Sequence, residues 1–206
     1  MDSTDAADLI AEIHEERAEN DAQESFRNRA ALLIATLAAI LAIGGMGGGN
    51  ATDAMIENNI KASDTWAFFQ AKNIRQTMYE IEAGKLEAQV VAGNAPVGAA
   101  ERLADYKATA ARYDSEPDPE APDDPLRGEG KKQLSAQARA YEAAFAEAST
   151  QDESFDYAEV CLQLALVLGS VAILAVNRWI LAFAATLGLI GTLLTANGFL
   201  LLVPLS

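Results

Sequence analysis

The sequence predicts an all-α membrane protein: three transmembrane helices, one an anchor and two a C-terminal hairpin, with an antiparallel helical stalk between spans one and two. Three observations predict it. Apolar residues gather in three blocks, roughly 30–49, 158–176 and 179–203, each close to the roughly 20 residues that a spanning helix needs. Charge is excluded from these blocks: none lies between Arg29 and Asn50, and beyond Glu159 only Arg178 is charged. The remainder is polar and acidic, and brings the formal net charge of the 206 residues to -15. This split rules out an ordinary soluble globular domain, and the segment between the spans leaves little room for a large enzyme core.

Residues 1–29 form an acidic tail with nine acidic and three basic side chains. A short amphipathic pattern around Leu9, Ile10 and Ile13 reads as a cytoplasmic helix. Residues 30–49 read as an uncleaved anchor, because what precedes them is long and acidic and no A-x-A cleavage site follows. Residues 158–176 and 179–203 are the second and third spans. Only Asn177 and Arg178 separate them, so they form a tight hairpin. Arg27 and Arg29 before span one and Arg178 in the hairpin fall on one side of the membrane. By the excess of basic residues on the inner side, that side is cytoplasmic. The N-terminus is then inside, and residues 50–157 and the C-terminus are outside.

Residues 50–157 form the extramembrane stalk. From Thr52 to about Val91 one long helix is expected. Ile60, Ala67, Ala71, Ile74, Met78 and Ile81 line one stripe at three- and four-residue steps, near the coiled-coil period. Gly84 weakens its far end, and Gly93-Asn94-Ala95-Pro96 signals a turn. A second helical run covers Val97 to Tyr113. Residues 114–125 then hold four of the six prolines and six acidic residues with no basic one. Proline at this density breaks regular structure, and the D-x-D-x-D-G pattern of a calcium loop is missing. The stretch 114–130 is therefore expected to be a flexible, solvated loop. A third run goes from about Lys131 to Thr150, with Leu134, Ala138, Tyr141, Phe145 and Ala148 on one face. It leads into span two, where Phe155 and Tyr157 suit the membrane interface.

Within the spans, small residues recur at four-residue spacing: Gly44 with Gly48, Gly45 with Gly49, Ala165 with Gly169, Ala184 with Gly188 and Gly191 with Thr195. Such stripes let helix backbones approach closely in lipid, within one chain or between subunits. No ionisable group lies at mid-depth, where it would suggest a transport path. Gln163, Ser170, Thr192 and Asn197 are the candidates for hydrogen bonds between helices or for lining a pore. The lone Cys161 cannot form an intrachain disulfide.

In the stalk, Trp66, Phe68 and Phe69 point in three directions around the helix, more than one narrow intrachain stripe can bury. If the helix runs straight from residue 50, Trp66 lies about 24 Å along it, well clear of a membrane interface. Exposed aromatics in water mark contact surfaces. Trp66, Phe68 and Phe69, with Gln70, Lys72 and Ile74 beside them, are therefore the candidate subunit interface. Asp64, Lys72 and Arg75 are expected to make surface ion pairs.

The stretch from Asn59 to Gln76 resembles the signature of bacterial proteins with the domain of unknown function DUF4337, on a W-x-[FY]-[FY]-Q-A-K-x-[IL]-[RK]-Q core read here from Trp66 to Gln76. Glu12-Ile13-His14, Gly49-Asn50-Ala51, Asp156-Tyr157-Ala158-Glu159, Asn177-Arg178-Trp179 and Asn197-Gly198 fit as well, so the resemblance covers nearly the whole chain. Members often carry several histidines in the tail, where this chain has only His14. The resemblance implies a bacterial membrane protein with this span layout, and no assigned activity; the span pattern and charge place it in the inner membrane.

The function classes narrow accordingly. Clustered Lys and Arg are missing, so nucleic acid is not an expected partner. Neither G-x-S-x-G, a P-loop, H-E-x-x-H nor a Rossmann fingerprint occurs, and Cys161 in a span cannot work with His14 in a tail. No enzyme, cofactor or metal site is expected. The leading expectation is a homo-oligomeric scaffold or an accessory subunit beside an unidentified membrane-protein partner, held in membrane lipid. The runner-up is an oligomeric channel or transport component, since three spans cannot enclose a pore alone.

Overall fold

The computed structural model describes residues 3–203, with side chains from residue 12 onward. Leu9 and Ile10 of the tail pattern lie outside the described side chains. Four helices follow one another: α1 (Ser3–Val91), α2 (Ala99–Asp114), α3 (Lys131–Ala175) and α4 (Arg178–Leu200), and no strand occurs among the described residues. Three of them, α1, α3 and α4, are long and apolar enough to cross a membrane. The chain divides into two compact units, one of the described residues up to Thr52 and from Ser149 on, the other Asp53–Ala148.

In the first unit the glycines decide the packing. The gap over Gly169 is filled by Ile34, and Phe155 lies against Gly48, so α1 and α3 run antiparallel. Leu37 fills the gap over Gly188 and Thr195 lies against Gly44, so α1 and α4 run parallel. Leu162 of α3 sits over Gly191 of α4. Leu37, Leu162 and Ala165 form the buried centre, with Leu33, Ile40, Leu41, Leu166 and Leu187 around it. A larger side chain on each helix therefore enters a hollow that a glycine leaves on its neighbour, the close approach that small residues permit between apolar helices.

The expectation for Phe155 is corrected by this geometry. It is not at an exposed interface but buried, in a hollow left by Gly47, Gly48 and Gly198, with the ring of Phe199 edge-on at 4.9 Å. Three glycines on two helices make a space of aromatic size, and burying a ring there removes far more apolar surface than leaving it half wet. Tyr157, two residues on, is exposed.

The hairpin turn between α3 and α4 is closed by backbone. Asn177 N–H donates to the Ala172 carbonyl at 3.1 Å. That bond closes a Schellman-type end in which the left-handed position belongs to Val176, with φ 50°. The Asn177 side chain then caps α4 by accepting from the N–H groups of Trp179 at 2.9 Å and Ile180 at 3.4 Å.

The second unit is built from the far part of α1, α2 and the start of α3. Here α1 passes through Gly84 without a break, since the flanking Ala83, Lys85 and Leu86 favour helix and a single interior glycine costs only about 1 kcal/mol. It ends where Gly93 takes φ 71° and donates to the Val90 carbonyl, while Asn94 donates to that of Gln89. This is the Schellman end again, now with its preferred glycine. Tyr79 touches Tyr106 and Tyr113, and Lys107 pairs with Glu87, so α2 runs back along α1. Leu134, Ala138 and Ala148 of α3 are buried, on the face that periodicity selects.

On α1 the expected stripe faces outward. The buried positions are Ala62, Lys72, Ala83 and Leu86, with Trp66, Phe69 and Tyr79 half-buried beside them. Ile60, Ile74, Met78 and Ile81 are exposed, as are Ala67 and Ile56. The inward side must fit between α2 and α3, and it does so mostly with small residues, rings and one lysine, with Leu86 as its large aliphatic.

One test follows from the glycine hollows. A Cβ at Gly47 would stand 2.6 Å from the Phe155 ring and 2.8 Å from Phe199, whereas nothing lies within 4 Å of one at Gly45. Gly47→Ala should cost about 1–3 kcal/mol by overpacking and lower the unfolding temperature. Gly45→Ala should not lower it. Thermal unfolding in mild detergent compares the two, and equal effects would contradict this packing.

Candidate functional site

The candidate interface residues lie on consecutive turns of α1 within the second unit. Trp66 is half-buried. Its indole Nε1–H donates to Glu142 of α3 at 2.8 Å, and its ring meets Phe69 edge-on at 5.4 Å. The Lys131 ammonium stands 5.8 Å from the centre of the Phe69 ring, within cation–π range. Two of the three aromatics are thus engaged inside the chain by α3. Phe68 remains 42% exposed, and Gln70 and Ile74 are exposed next to it.

Lys72 is the residue whose placement departs furthest from expectation. It does not make a surface ion pair, nor is it free to meet a partner: it is only 4% exposed. Its ammonium lies 3.4 Å from Glu116 and 3.5 Å from Glu129, and above the faces of Phe68 at 5.1 Å and Tyr113 at 5.9 Å. A buried ammonium requires compensation of this kind, two carboxylates and two π faces.

Those carboxylates belong to the acidic, proline-rich stretch, which corrects its reading as a free loop. Glu129 N–H donates to the Glu116 carbonyl at 2.9 Å, and Pro117 and Gly128 form an isolated bridge across the neck. Gly128 adopts φ 117°, and a Cβ there would run into the Glu116 carbonyl. Gln133 accepts from Glu116 N–H, and Gln137 donates to the Gly128 carbonyl. Arg127 pairs with Asp118 at 2.7 Å and Lys132 with Asp114 at 2.8 Å. Lys72 of α1, Lys132 of α3 and Arg127 at the loop's own far end thus meet Glu116, Glu129, Asp114 and Asp118, while Gln133 and Gln137 of α3 brace the loop backbone. Composition counts the acids but does not reveal these partners.

Elsewhere on α1, Lys61 pairs with Glu57 one turn away. The hydrogen bond, and then the opposite charge, hold the Glu57 carboxyl below its ordinary value and raise the Lys61 ammonium. Both groups are exposed, so water screens this pair and it steadies the helix only slightly. A hollow of about 400 Å³ is lined by Arg75, Met78, Tyr79, Glu82, Tyr106 and Tyr113. No set of three or more His, Cys, Asp or Glu among the described residues is arranged to hold a metal ion.

In the first unit, Gly44, Gly48, Gly169, Gly188 and Gly191 all face side chains of the same chain. Gly45 and Gly49 face open space. The four polar candidates separate. Asn197 is buried and bonds between helices, donating to Ser154 Oγ at 3.2 Å. It also holds the segment just after α4, donating to the Val203 carbonyl and accepting from its N–H, each at 2.9 Å. Gln163 donates to Glu159, Ser170 to the Leu166 carbonyl and Thr192 to the Gly188 carbonyl, all within their own helices. Two polar pieces escaped the sequence reading: Ser154, and the 2.7 Å hydrogen bond from Thr52 to Asp152. The second is a partner choice that only the antiparallel register of α1 and α3 determines.

The model of one protein family, the domain of unknown function DUF4337, matches residues 26–201. The chain belongs to the DUF4337 family. The match spans α1 beyond Ser25 and all of α2, α3 and α4, so it reaches into both units of this DUF4337 protein. No curated protein and no solved structure matches the chain.

The Lys72 arrangement is open to direct test. Lys72→Met removes the cation that joins Glu116 and Glu129 to α1, at a cost of roughly 2 kcal/mol for charged hydrogen bonds. Residues 115–130 should become cleavable in limited proteolysis under conditions that leave the wild-type chain intact, while exposed Lys61→Met changes nothing. Equal resistance of Lys72→Met and wild type would show that Lys72 does not hold the loop.

Proposed function

We propose that this DUF4337 protein is an integral, multi-pass protein of the bacterial inner membrane. In this reading it acts as a homo-oligomeric scaffold or accessory subunit without catalysis of its own. The observation that carries the reading is where the chain leaves its apolar surface. In the first unit Leu32, Ile43, Val167, Leu174, Phe183 and Leu193 are exposed around the bundle, which suits contact with lipid tails. Beyond that unit, α1 continues to expose large aliphatic side chains among charged and polar ones. Apolar surface displayed among charged residues marks a protein contact rather than a lipid one.

In the orientation we propose, the N-terminal tail is cytoplasmic and residues 50–157 are extracytoplasmic. Arg27 and Arg29 before the first span and Arg178 in the hairpin support it, because basic residues near span ends stay on the inner side. Trp179, exposed beside Arg178, fits the aromatic belt at that interface. The alternative of an oligomeric channel draws less support. Asn197 is already occupied, and the hydrogen bonds of Gln163, Ser170 and Thr192 stay within their own helices.

Native mass spectrometry of the complex, extracted gently from its membrane, tests the reading together with conductance in planar bilayers. A single closed homo-oligomer that passes no current is expected. A monomer would contradict self-assembly, and a steady ionic current would favour the channel.

A further inference from the structure

The hollow of about 400 Å³ in the second unit lies between α1 and α2. Arg75, Met78, Tyr79 and Glu82 of α1 form one wall, and Tyr106 and Tyr113 of α2 form the other. A neighbouring hollow of about 210 Å³ shares Glu82 and Tyr106 and continues the groove to Lys85 and Arg102. The larger hollow falls in the size range of small-molecule sites, which combine aromatic walls with a few placed polar groups.

The rings are arranged as a wall rather than a closed stack. Tyr79 meets Tyr106 at 5.7 Å with the planes at 59°, and Tyr113 at 5.9 Å with the planes at 35°. All three are half-buried, and none of their hydroxyls has a hydrogen-bond partner among the described residues. Ring surface and hydroxyl groups are therefore both open to a ligand.

Charge selects which ligand. Glu82 is already paired with Lys85 at 2.7 Å. Arg75, expected from the sequence to make a surface ion pair, has neither an ion pair nor a hydrogen bond among the described residues. Arg102 donates to the Val97 carbonyl at 3.2 Å, a neutral acceptor that leaves its charge uncompensated. Glu101 and Asp105 of α2 line neither hollow. Arg75, Lys85 and Arg102 thus face Glu82 alone along the groove, on a chain whose net charge is -15.

We infer that this groove binds a small organic anion with an aromatic body, an aromatic carboxylate. Its ring lies against the tyrosine wall in the offset or edge-on contacts that aromatic pairs favour. Its carboxylate meets the Arg75 guanidinium, whose planar fork matches two carboxylate oxygens. The tyrosine hydroxyls serve further oxygens on the ligand. A cation would also be drawn to these rings, but the arginines and Lys85 oppose it. The inference goes beyond the scaffold reading and does not depend on it.

The test uses the full-length protein in lipid nanodiscs, with fluorotyrosine at its five tyrosines and benzoate as the probe. Each fluorine resonance is assigned by a Tyr→Phe substitution. Benzoate should move the resonances of Tyr79, Tyr106 and Tyr113 with a Kd of about 10 mM or tighter, as expected for so small a ligand. Tyr141 and Tyr157 should not move. Benzamide, with the same ring and no charge, should move them severalfold less at equal concentration. Arg75→Gln should reduce the benzoate shifts severalfold, and Lys61→Met, elsewhere on α1, should leave them unchanged. Arg75 is exposed, so Arg75→Gln should keep the helicity of the wild type by circular dichroism. No benzoate shift at the three tyrosines, equal shifts with benzamide, or full shifts in Arg75→Gln would each overturn the proposal. Equal movement of all five resonances would mark unspecific contact and overturn it as well. Shifts with benzylammonium in place of benzoate would overturn it in favour of an aromatic cage for cations.

Discussion

Three apolar helices cannot hide their own surface. In α1, α3 and α4 no more than 28% of the most apolar stretch is buried inside the chain, because a helix in a bundle of three meets neighbours on one side only. Everything else about this protein follows from where the remaining surface goes. The inward side is closed by pairing large residues with glycines: Leu37 with Gly188, Ile34 with Gly169, Leu162 with Gly191 and Phe155 with Gly47 and Gly198. Between helices in lipid, where we propose this unit stands, the hydrophobic effect supplies no drive and close packing of this kind holds them. The outward side, proposed here to meet lipid, needs only to be apolar.

The unit Asp53–Ala148 solves a different problem with the same helix. Its core is poor in large aliphatics, and its specificity comes from polar contacts instead. Lys72 is buried between two carboxylates and two rings, and Trp66 is fixed by Glu142. Buried charges of this sort add little net stability but strongly penalise alternative arrangements, since an unpaired ammonium in that position is costly. They lie on the side of α1 that turns inward. The choice of a polar inward side leaves the aliphatic side free, and that free side is the basis for the assembly proposed here.

Much of the architecture is legible in the sequence, because span length, charge exclusion and turn residues are local signals. The three apolar blocks, the Asn177 hairpin, the Gly93 turn and the inward face of α3 at Leu134, Ala138 and Ala148 are all of this type. The rest depends on partners distant in sequence. Periodicity shows that Ile60, Ile74, Met78 and Ile81 share a face, but not that a line of Ala62, Lys72 and Ala83 wins the inward position. Nothing around residue 72 announces Glu116 and Glu129. The acidic loop looks unstructured because composition records six acids without a base, while Lys72, Gln133 and Gln137 act on it from two other helices. Phe155 reads as an interface aromatic until the register of α3 against α1 and α4 brings three glycines around it. In each case the missing information is long-range register, which one sequence does not carry.

In the proposed reading the first unit stands in lipid with its exposed aliphatic side chains facing the tails. Spin labels placed by Val167→Cys and Leu193→Cys in a Cys161→Ala background, with the protein in lipid bilayers, test it most directly. Both labels should collide readily with dissolved oxygen and scarcely with a polar nickel chelate. A label at Asn94, in the turn between α1 and α2, should show the opposite preference. Ready access of the nickel chelate to Val167 and Leu193 would contradict the account.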